Sequence, residues 1–373
     1  MKITTGIIAE FNPLHLGHEA LLASVEHPCV VVLSSNFVQR GSPAFADKFT
    51  RARMALNSGA DLVIELSFLF SCSAGQDFAK GAVNLLSHFA GTIAFGMEDP
   101  DFDVEAVIFA ENTPAFAQVL RQKIGRGASY PKAYALALEA VVSGAGAFIT
   151  KPNNMLAISY MRENFRNSYG LKILPVKRQG GYSSRAVREG NFGMMPEFSR
   201  KLVAQAKEEG RISDEGRLWP MLQGIFLRSS AEDLRSIHGI DEGIEGLFLR
   251  HWRDAKGMDD FVGRCVCARY TRAKIRRSLV YVLLGLNRWE VMGAMRGGVP
   301  YARVLGFNDK GREILRKTSG IRVITRLAEV RDKIGKYFAD VEFRASQLYE
   351  LTLKNSDFKR ETQKPVIIQA ESQ

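Results

Sequence analysis

Short apolar runs alternate with amphipathic stretches through the first half of this chain. From the apolar runs we predict five buried parallel strands, at residues 3–9, 29–34, 61–66, 92–96 and 171–176. Apolar residues that recur every three or four positions predict the helices between them, at residues 17–26, 48–58, 76–89, 115–124, 131–143 and 154–166. Such alternation predicts an α/β fold with a Rossmann-like, doubly wound parallel sheet.

The strand pattern stops near residue 190, and the remaining sequence has helical periodicity. Four stretches carry that periodicity, at residues 197–210, 231–240, 262–286 and 327–343. The segment "GNFGMMPEFS" at residues 190–199, with its glycines and proline, is typical of a linker. We therefore predict an α/β domain over residues 1–190 and a mainly α-helical domain over residues 191–373, and we expect residues 359–373 to be frayed.

The excess positive charge lies entirely in the second part of the chain. The 373 residues have a formal net charge of +11. Residues 1–150 carry 10 Lys and Arg against 14 Asp and Glu, a net of −4, whereas residues 151–373 carry 41 against 26, a net of +15. This asymmetry predicts a polyanionic partner, most often nucleic acid. A basic surface that serves only solubility is the alternative.

Signals for metal, disulfides and membranes are weak in this sequence. Its four cysteines are scattered, and Cys265 and Cys267 lack a second cysteine or histidine pair at zinc-ligand spacing. No apolar run approaches the length of about 18 residues that spans a membrane, and no basic region with a long apolar stretch opens the chain. We expect no metal site, membrane span or signal peptide, and predict a cytoplasmic protein.

The segment "EFNPLHLGH" at residues 10–18 follows the first predicted strand. Ligands of α/β sheets bind outside the carboxyl ends of the strands, where helix N-termini present backbone N–H groups. Pro13 stiffens this turn, and Gly17 lets a phosphate approach the backbone. His15 and His18 can donate hydrogen bonds to phosphate oxygens and stabilise departing pyrophosphate. A pair of capping or packing histidines is the alternative.

His-Leu-Gly-His resembles the "HIGH" signature of the nucleotidyltransferase and class I tRNA-synthetase superfamily. A second match is "YSSRAVREG" at residues 182–190, in which Ser183, Ser184 and Arg188 resemble the superfamily motif Ile-Ser-Ser-Thr-x-Ile-Arg. The hydroxyls can hold phosphate oxygens, and the arginine can neutralise the charge of pyrophosphate. A simple helix N-cap is the alternative for the two serines.

Longer stretches resemble one family within this superfamily. Residues 35–99 resemble the tRNA(Met) cytidine acetate ligases almost residue for residue, and "KPNNMLAISYM", "VKRQGGY", "CARYTRAKIRRSLVYVLLGL" and "YARVLGFNDKGREIL" match as well. The resemblance extends from residue 2 to about residue 310. It implies that the chain uses ATP to activate acetate as acetyl-adenylate. It further implies that the acetyl group passes to the wobble cytidine of elongator tRNA(Met), forming N4-acetylcytidine.

The resemblance also implies roles for the two predicted domains. Residues 1–190 would form a nucleotidyltransferase-like, ATP-binding catalytic domain, and residues 191–373 a basic tRNA-binding domain. The implied ATP site comprises Ile7, Ile8, Ala9, Glu10, Phe11, Asn12, Pro13, Leu14, Gly17, Gly96, Asn153 and Arg178. Gly96 is small enough to leave room for the base or ribose. For Asn153 a helix-start role, and for Arg178 a solvated charge, are the alternatives.

The implied catalytic residues are His15, His18, Ser183, Arg188 and Lys48. Lys48 belongs to "VQRGSPAFADKFTR", which also supplies Arg40 and Arg51. A cation from this segment can orient the acetate carboxylate against the α-phosphate of ATP. Surface charges on an amphipathic helix are the alternative. Magnesium can assist pyrophosphate departure, but no acidic pair indicates a metal site.

One departure from the family lies at Tyr182. The relatives carry Tyr-His-Asp, several further residues and then Ser-Ala-Thr-x-Ile-Arg. Here Tyr182 runs directly into Ser183, and Arg185 stands in place of the threonine. Either the loop is simply trimmed, or the way in which the protein binds its substrate near the phosphates has changed. A small-molecule adenylyltransferase acting on a nucleotide or pantetheine-type phosphate ester is therefore kept as the alternative function.

A run of seven basic residues without an acidic one extends from residue 264 to residue 288. Such a helix can follow a row of tRNA phosphates. The predicted nucleic-acid-binding residues are Arg269, Arg272, Lys274, Arg276 and Arg277. A helix end packed against acidic patches of its own domain is the alternative. A catalytically silent RNA-binding protein is a third possible function, which the intact histidine and serine motifs disfavour.

Overall fold

An eight-stranded, mostly parallel sheet forms the centre of the molecule. In the computed structural model, residues 4–128, 130–364 and 366–369 are described. The strands are β1 (Thr5–Ala9), β2 (Cys29–Ser34), β3 (Leu62–Leu66), β4 (Thr92–Met97), β5 (Lys172–Lys177), β6 (Ala302–Phe307), β7 (Val323–Ile324) and β8 (Ile367–Ile368). Their order across the sheet is β5-β4-β1-β2-β3-β6-β7, and β8 pairs with β6.

Helices cover the sheet and form the rest of the chain. They are α1 (Leu16–Ala23), α2 (Lys48–Asn57), α3 (Phe68–Ser71), α4 (Gly75–Ser87), α5 (Val104–Ala110), α6 (Pro114–Gly125), α7 (Tyr130–Glu139), α8 (Ala145–Phe148), α9 (Pro152–Arg166), α10 (Ser184–Arg188), α11 (Glu197–Glu208), α12 (Trp219–Arg228), α13 (Ala231–Arg235), α14 (Ile244–His251), α15 (Met258–Cys265), α16 (Arg272–Leu284), α17 (Arg288–Met295), α18 (Asp309–Lys317), α19 (Lys333–Glu350) and α20 (Arg360–Gln363). None of the helices in the described ranges is long and apolar enough to cross a membrane.

The predicted parallel sheet of the first half is confirmed. Strands β1 to β5 pair in parallel in the order β5-β4-β1-β2-β3. Every residue of β2 and β3 is buried, because helices cover both faces of a parallel sheet. The first predicted strand began at Ile3, which lies outside the described residues. All six helices predicted between the strands are present, whereas the short helices α3, α5 and α8 were not predicted.

The expectation that strands stop near residue 190 is wrong. Strand β6 pairs antiparallel with β3, and β7 and β8 pair with β6, so the second half extends the same sheet. Residues 359–373 are not simply frayed, since they contribute α20 and β8 in their described part. Residues 365 and 370–373 lie outside the described ranges. One hydrophobic core cluster includes residues from both halves. The domain boundary at 190/191 stays a prediction.

Candidate active site

A cavity of about 1260 Å³ opens at the carboxyl ends of β1, β4 and β5. This is the edge at which open α/β sheets bind their ligands. Most of the predicted site residues line it: Ile7, Ile8, Ala9, Glu10, Phe11, Asn12, His15, Gly17, His18, Gly96, Asn153, Arg178, Ser183 and Arg188. The structure therefore brings together two segments, 7–18 and 178–188, that are far apart in sequence. Pro13, Leu14 and Lys48 do not line the cavity.

The turn between β1 and α1 is held from several sides. Phe11 is buried and has a positive φ of 43°, in the region that non-glycine residues rarely adopt. The Asn12 side-chain oxygen accepts a hydrogen bond from the Phe45 backbone N–H, at 2.6 Å. Ser184 donates its hydroxyl to the Pro13 carbonyl at 3.0 Å, and Arg188 donates to the Asn12 carbonyl. These contacts fix the backbone that leads into the two histidines.

His15 and His18 form a reciprocal capping pair at the start of α1. The Nδ1 atom of each ring accepts the backbone N–H of the other residue, at 3.3 Å in both cases. The rings are stacked, with centroids 3.6 Å apart and planes 15° apart. An Nδ1 that accepts a hydrogen bond places the proton of a neutral imidazole on Nε2. Both rings therefore retain an Nε2–H donor.

The surroundings keep both imidazoles neutral. Burial, with the nearby positive charge of Arg178, lowers the pKa of His15 to about 4. Burial, followed by the neighbouring His15 ring and the positive charge of Arg178, lowers the pKa of His18 well below its usual value. The capping alternative of the sequence analysis is thus present in the structure. It does not compete with phosphate binding, since capping uses Nδ1 and leaves Nε2 available.

A polar cluster surrounds Gly96 at the end of β4. A Cβ atom built on Gly96 would lie 3.1 Å from Arg178 Cγ, so the arginine side chain packs over this position. Glu98 accepts a hydrogen bond from Asn153 Nδ2 at 2.6 Å and lies 3.6 Å from Arg178 Nη1. Glu98 also accepts the backbone N–H of Asn154, near the start of α9. Glu98 was not predicted, although its position directly after a strand was a usable signal.

The short connection between β5 and α10 brings the second motif to the first. Tyr182 lies beside Gly17, where an added Cβ would be 3.3 Å from Tyr182 Cβ. The Tyr182 ring is near-parallel to that of His15, with centroids 6.4 Å apart. Ser183 caps α10, because its hydroxyl accepts the backbone N–H of Arg185 at 3.2 Å. Ser183 therefore has the N-cap role given as its alternative and also lines the cavity, where the predicted phosphate contact stays a prediction.

Lys48 lies outside the cavity, in a buried ion-pair cluster. Its Nζ is 2.9 Å from Glu342 and 3.0 Å from Glu361, and it also pairs with Glu65. Arg303 pairs with two of these carboxylates. Burial alone would lower the pKa of Lys48, but the surrounding carboxylates outweigh this effect and raise it. The structure thus does not bring the predicted catalytic lysine to the cavity, because the lysine holds α2 to α19 and α20.

Arg40 is the cation of this segment that does reach the cavity. It is exposed and lines the cavity together with Gln39 and Ser42, between β2 and α2. Its charge acts on both Glu10 and Arg188, so it lies near both motif segments of the cavity wall. Burial raises the pKa of Glu10, while a backbone hydrogen bond and neighbouring arginines oppose this effect.

Known proteins resemble this chain over most of its length. The HIGH Nucleotidyl Transferase family model matches residues 1–364. The tRNA(Met) cytidine acetate ligase of Clostridium perfringens is 32% identical over 369 residues, with 88% of this chain and 90% of that protein covered. The chain belongs to the tRNA(Met) cytidine acetate ligase family. A relative of the same name from Caldanaerobacter subterraneus is 31% identical and covers 94% of this chain and 95% of its own length.

Solved structures extend this relationship to the whole fold. Thermotoga maritima TmcAL bound with alpha-thio ATP has a TM-score of 0.91 and 27% sequence identity, with 99% of this chain and 100% of that chain covered. The apo form I of the same protein has a TM-score of 0.90 and 26% identity. Since the match covers nearly the full chain, both halves of this family member share one architecture with TmcAL.

In this member of the family, each of the five predicted nucleic-acid-binding residues, in α16 and just before it, contacts another residue of the protein. Arg269 donates to the Glu242 carbonyl, Arg272 pairs with Asp259, Lys274 with Asp241, Arg276 with Glu215 and Asp259, and Arg277 donates to the Gln39 carbonyl. The alternative, packing against acidic groups of the same protein, therefore describes Arg272, Lys274 and Arg276, whereas Arg269 and Arg277 bind backbone carbonyls. Nucleic-acid binding by these residues stays a prediction.

Among the described residues, no group of three or more His, Cys, Asp and Glu side chains is placed to hold a metal ion. Assistance of pyrophosphate departure by magnesium, which the sequence left open, stays untested.

Proposed function

We propose that this chain uses ATP to activate acetate as acetyl-adenylate and then acetylates the wobble cytidine of elongator tRNA(Met). The observation that carries the proposal is the pair of neutral imidazoles beside the second motif in one cavity. Membership of the tRNA(Met) cytidine acetate ligase family supports the reaction, and the alpha-thio ATP bound to Thermotoga maritima TmcAL supports ATP as the co-substrate. A cytoplasmic location is part of the same proposal.

The activation step follows from the donors around the cavity. An acetate oxygen attacks the α-phosphorus of ATP in line, and the bond to pyrophosphate breaks. The Nε2–H groups of His15 and His18 donate to the phosphate oxygens on which negative charge develops. Arg188 supplies a positive charge, and one of its donors is already fixed on the Asn12 carbonyl. Neutral imidazoles suit this role, since they remain donors without depending on the pH of the cytoplasm.

Arg40 is the residue proposed to orient the acetate carboxylate. The sequence suggested a cation from residues 38–51, and Arg40 is the one that is exposed in the cavity wall. Lys48 and Arg51 are fully buried. Arg51 donates to the carbonyls of Glu10 and Ser35, so it holds the chain rather than a substrate. A planar guanidinium can bind a carboxylate through two parallel hydrogen bonds.

The second step transfers the acetyl group to RNA. The cytidine N4 amine attacks the acyl carbon of acetyl-adenylate, the bond to the phosphate oxygen breaks, and AMP leaves with a proton released from the amine. The ion pairs of Arg272 and Arg276 with Asp259 are partly exposed, and exposed pairs contribute only about 0–1 kcal/mol. RNA phosphates can therefore compete for these side chains.

Pyrophosphate exchange tests the activation step. Purified protein should incorporate labelled pyrophosphate into ATP only when acetate is present. Pyrophosphate exchange that does not depend on acetate but requires a phosphate-ester substrate would favour the alternative function, a small-molecule adenylyltransferase. Arg40→Met should raise KM for acetate much more than KM for ATP. Arg40→Lys is the matched control that keeps a charge, and equal effects of both substitutions on both KM values would contradict the role of Arg40.

Salt dependence tests the proposed RNA surface. We expect Arg269→Glu with Arg272→Glu to weaken tRNA binding. The slope of log affinity against log salt concentration should flatten by about 0.9 for each lost phosphate contact on duplex RNA, if duplex RNA follows B-DNA in this respect. Neither residue lines the cavity, so acetate-dependent exchange should persist. An unchanged affinity and slope would place the tRNA on another surface.

A further inference from the structure

The loop of residues 38–42 forms one wall of the proposed acetate site. Val38, Gln39, Arg40 and Ser42 all line the cavity. The Gln39 backbone N–H donates to Glu10 Oε1 at 2.8 Å, which joins the loop to the segment directly after β1. The position of Arg40 therefore depends on how the loop backbone is held.

Helix α16, which does not line the cavity, holds this loop. Arg277 Nη1 donates to the Gln39 carbonyl at 3.1 Å. Gly41 has a φ of +82°, and an added Cβ would lie 2.4 Å from Arg277 N and 2.7 Å from the Arg276 carbonyl carbon. Loop and helix thus meet backbone to backbone, at a distance that only glycine permits.

We infer that Arg277 is a positioning residue for acetate activation. Its guanidinium donates to the Gln39 carbonyl, and the same residue donates its backbone N–H to Glu10 and directly precedes Arg40. A single residue therefore connects α16 to Glu10 and to Arg40 in the cavity wall. This assignment differs from the sequence prediction, in which Arg277 binds RNA phosphates. It rests on the proposed function, because it names the substrate whose binding the loop controls.

The geometry predicts a specific kinetic signature. Moving the loop displaces Arg40 but leaves the capping pair of His15 and His18, whose hydrogen bonds lie within residues 15–18. Misplacement of a binding group by about 1 Å can cost up to 10²-fold in rate. We therefore expect Arg277→Met to raise KM for acetate by about tenfold or more in pyrophosphate exchange, while KM for ATP changes by less than about twofold.

Two further variants separate positioning from general damage to the fold. Arg344→Met is the matched control, since Arg344 Nη1 also donates to a backbone carbonyl, that of Leu284, at 2.9 Å and does not line the cavity. It should leave both KM values unchanged. Arg277→Lys keeps a donor for the Gln39 carbonyl and should restore part of the acetate affinity.

Gly41→Ala perturbs the same contact from the other side. It should raise KM for acetate like Arg277→Met, and the double variant should be no worse than either single variant, because both remove one contact. Three results would each overturn the inference. The first is an equal rise of KM for acetate and for ATP, and the second is a double variant whose KM effect is the sum of the two single effects. The third is an Arg277→Met variant with unchanged KM values that only loses tRNA binding. Absence of acetate-dependent exchange in the unmodified protein would instead contradict the proposed function itself.

Discussion

Replacing His18 tests whether the stacked imidazoles act as neutral donors. Loss of one donor to a developing oxyanion lowers kcat by roughly 10²–10³, or about 3–4 kcal/mol. We expect this loss for His18→Ala in acetate-dependent pyrophosphate exchange. His18→Asn is the matched variant, since it keeps a side-chain acceptor for the His15 backbone N–H and thus much of the cap. Wild-type exchange by His18→Ala would refute the donor role.

The pH profile of the unmodified protein tests the neutral state separately. With a pKa of about 4, about one His15 ring in a hundred is protonated at pH 6, against about three quarters for an unperturbed ring. The exchange rate should therefore show no transition near pH 6.5. The folded pKa lies below that of the unfolded chain, so the unfolded chain binds more protons and stability falls as pH drops from 6.5 towards 4. A transition near pH 6.5 in protein that circular dichroism shows to be folded would refute neutral donors.

Three further variants test other parts of the site. Lys48→Met leaves three buried carboxylates without their lysine and should lower the free energy of unfolding by about 3–5 kcal/mol, measured by urea denaturation. Gly96→Val should raise KM for ATP in folded protein, since its side chain would meet Arg178. Ser184→Ala removes the hydrogen bond to the Pro13 carbonyl and should slow exchange, whereas an unchanged rate would show that the turn is held without it.

The parallel sheet and the position of the histidine motif were predictable because both depend on local sequence patterns. The apolar runs of β2 and β3 are nearly continuous, as expected for strands covered on both faces. His15 and His18 lie at the start of the helix that follows β1, so the position of their cavity follows from strand direction. Tyr182 and Ser183 could be placed near them only through the family motif, because the two segments are about 170 residues apart.

The buried position of Lys48 could not be read from the sequence. A lysine on an amphipathic helix is usually exposed, and the pattern of α2 gives no sign of its partners. Those partners come from β3, α19 and α20, nearly 300 residues and more away in two cases. Pairing over such distances has no local signature. Arg40 lies in the same segment, residues 38–51, as Lys48 and Arg51. Only the fold shows that Arg40 is the cation of this segment that faces the cavity.

The charge asymmetry of the chain indicates what kind of partner to expect, but it does not indicate which surface binds that partner. Helix α16 carries the densest basic run, yet Arg272, Lys274 and Arg276 pair with carboxylates and Arg277 supports the loop of residues 38–42. The second half also completes the sheet through β6 and supplies two carboxylates to Lys48. It therefore adds to the structure of the half that carries most of the candidate active site, besides adding positive charge. Charge reversal that includes Arg277 would affect activation and RNA binding together, so the two functions can be separated only with residues such as Arg269 that do not contact the cavity wall.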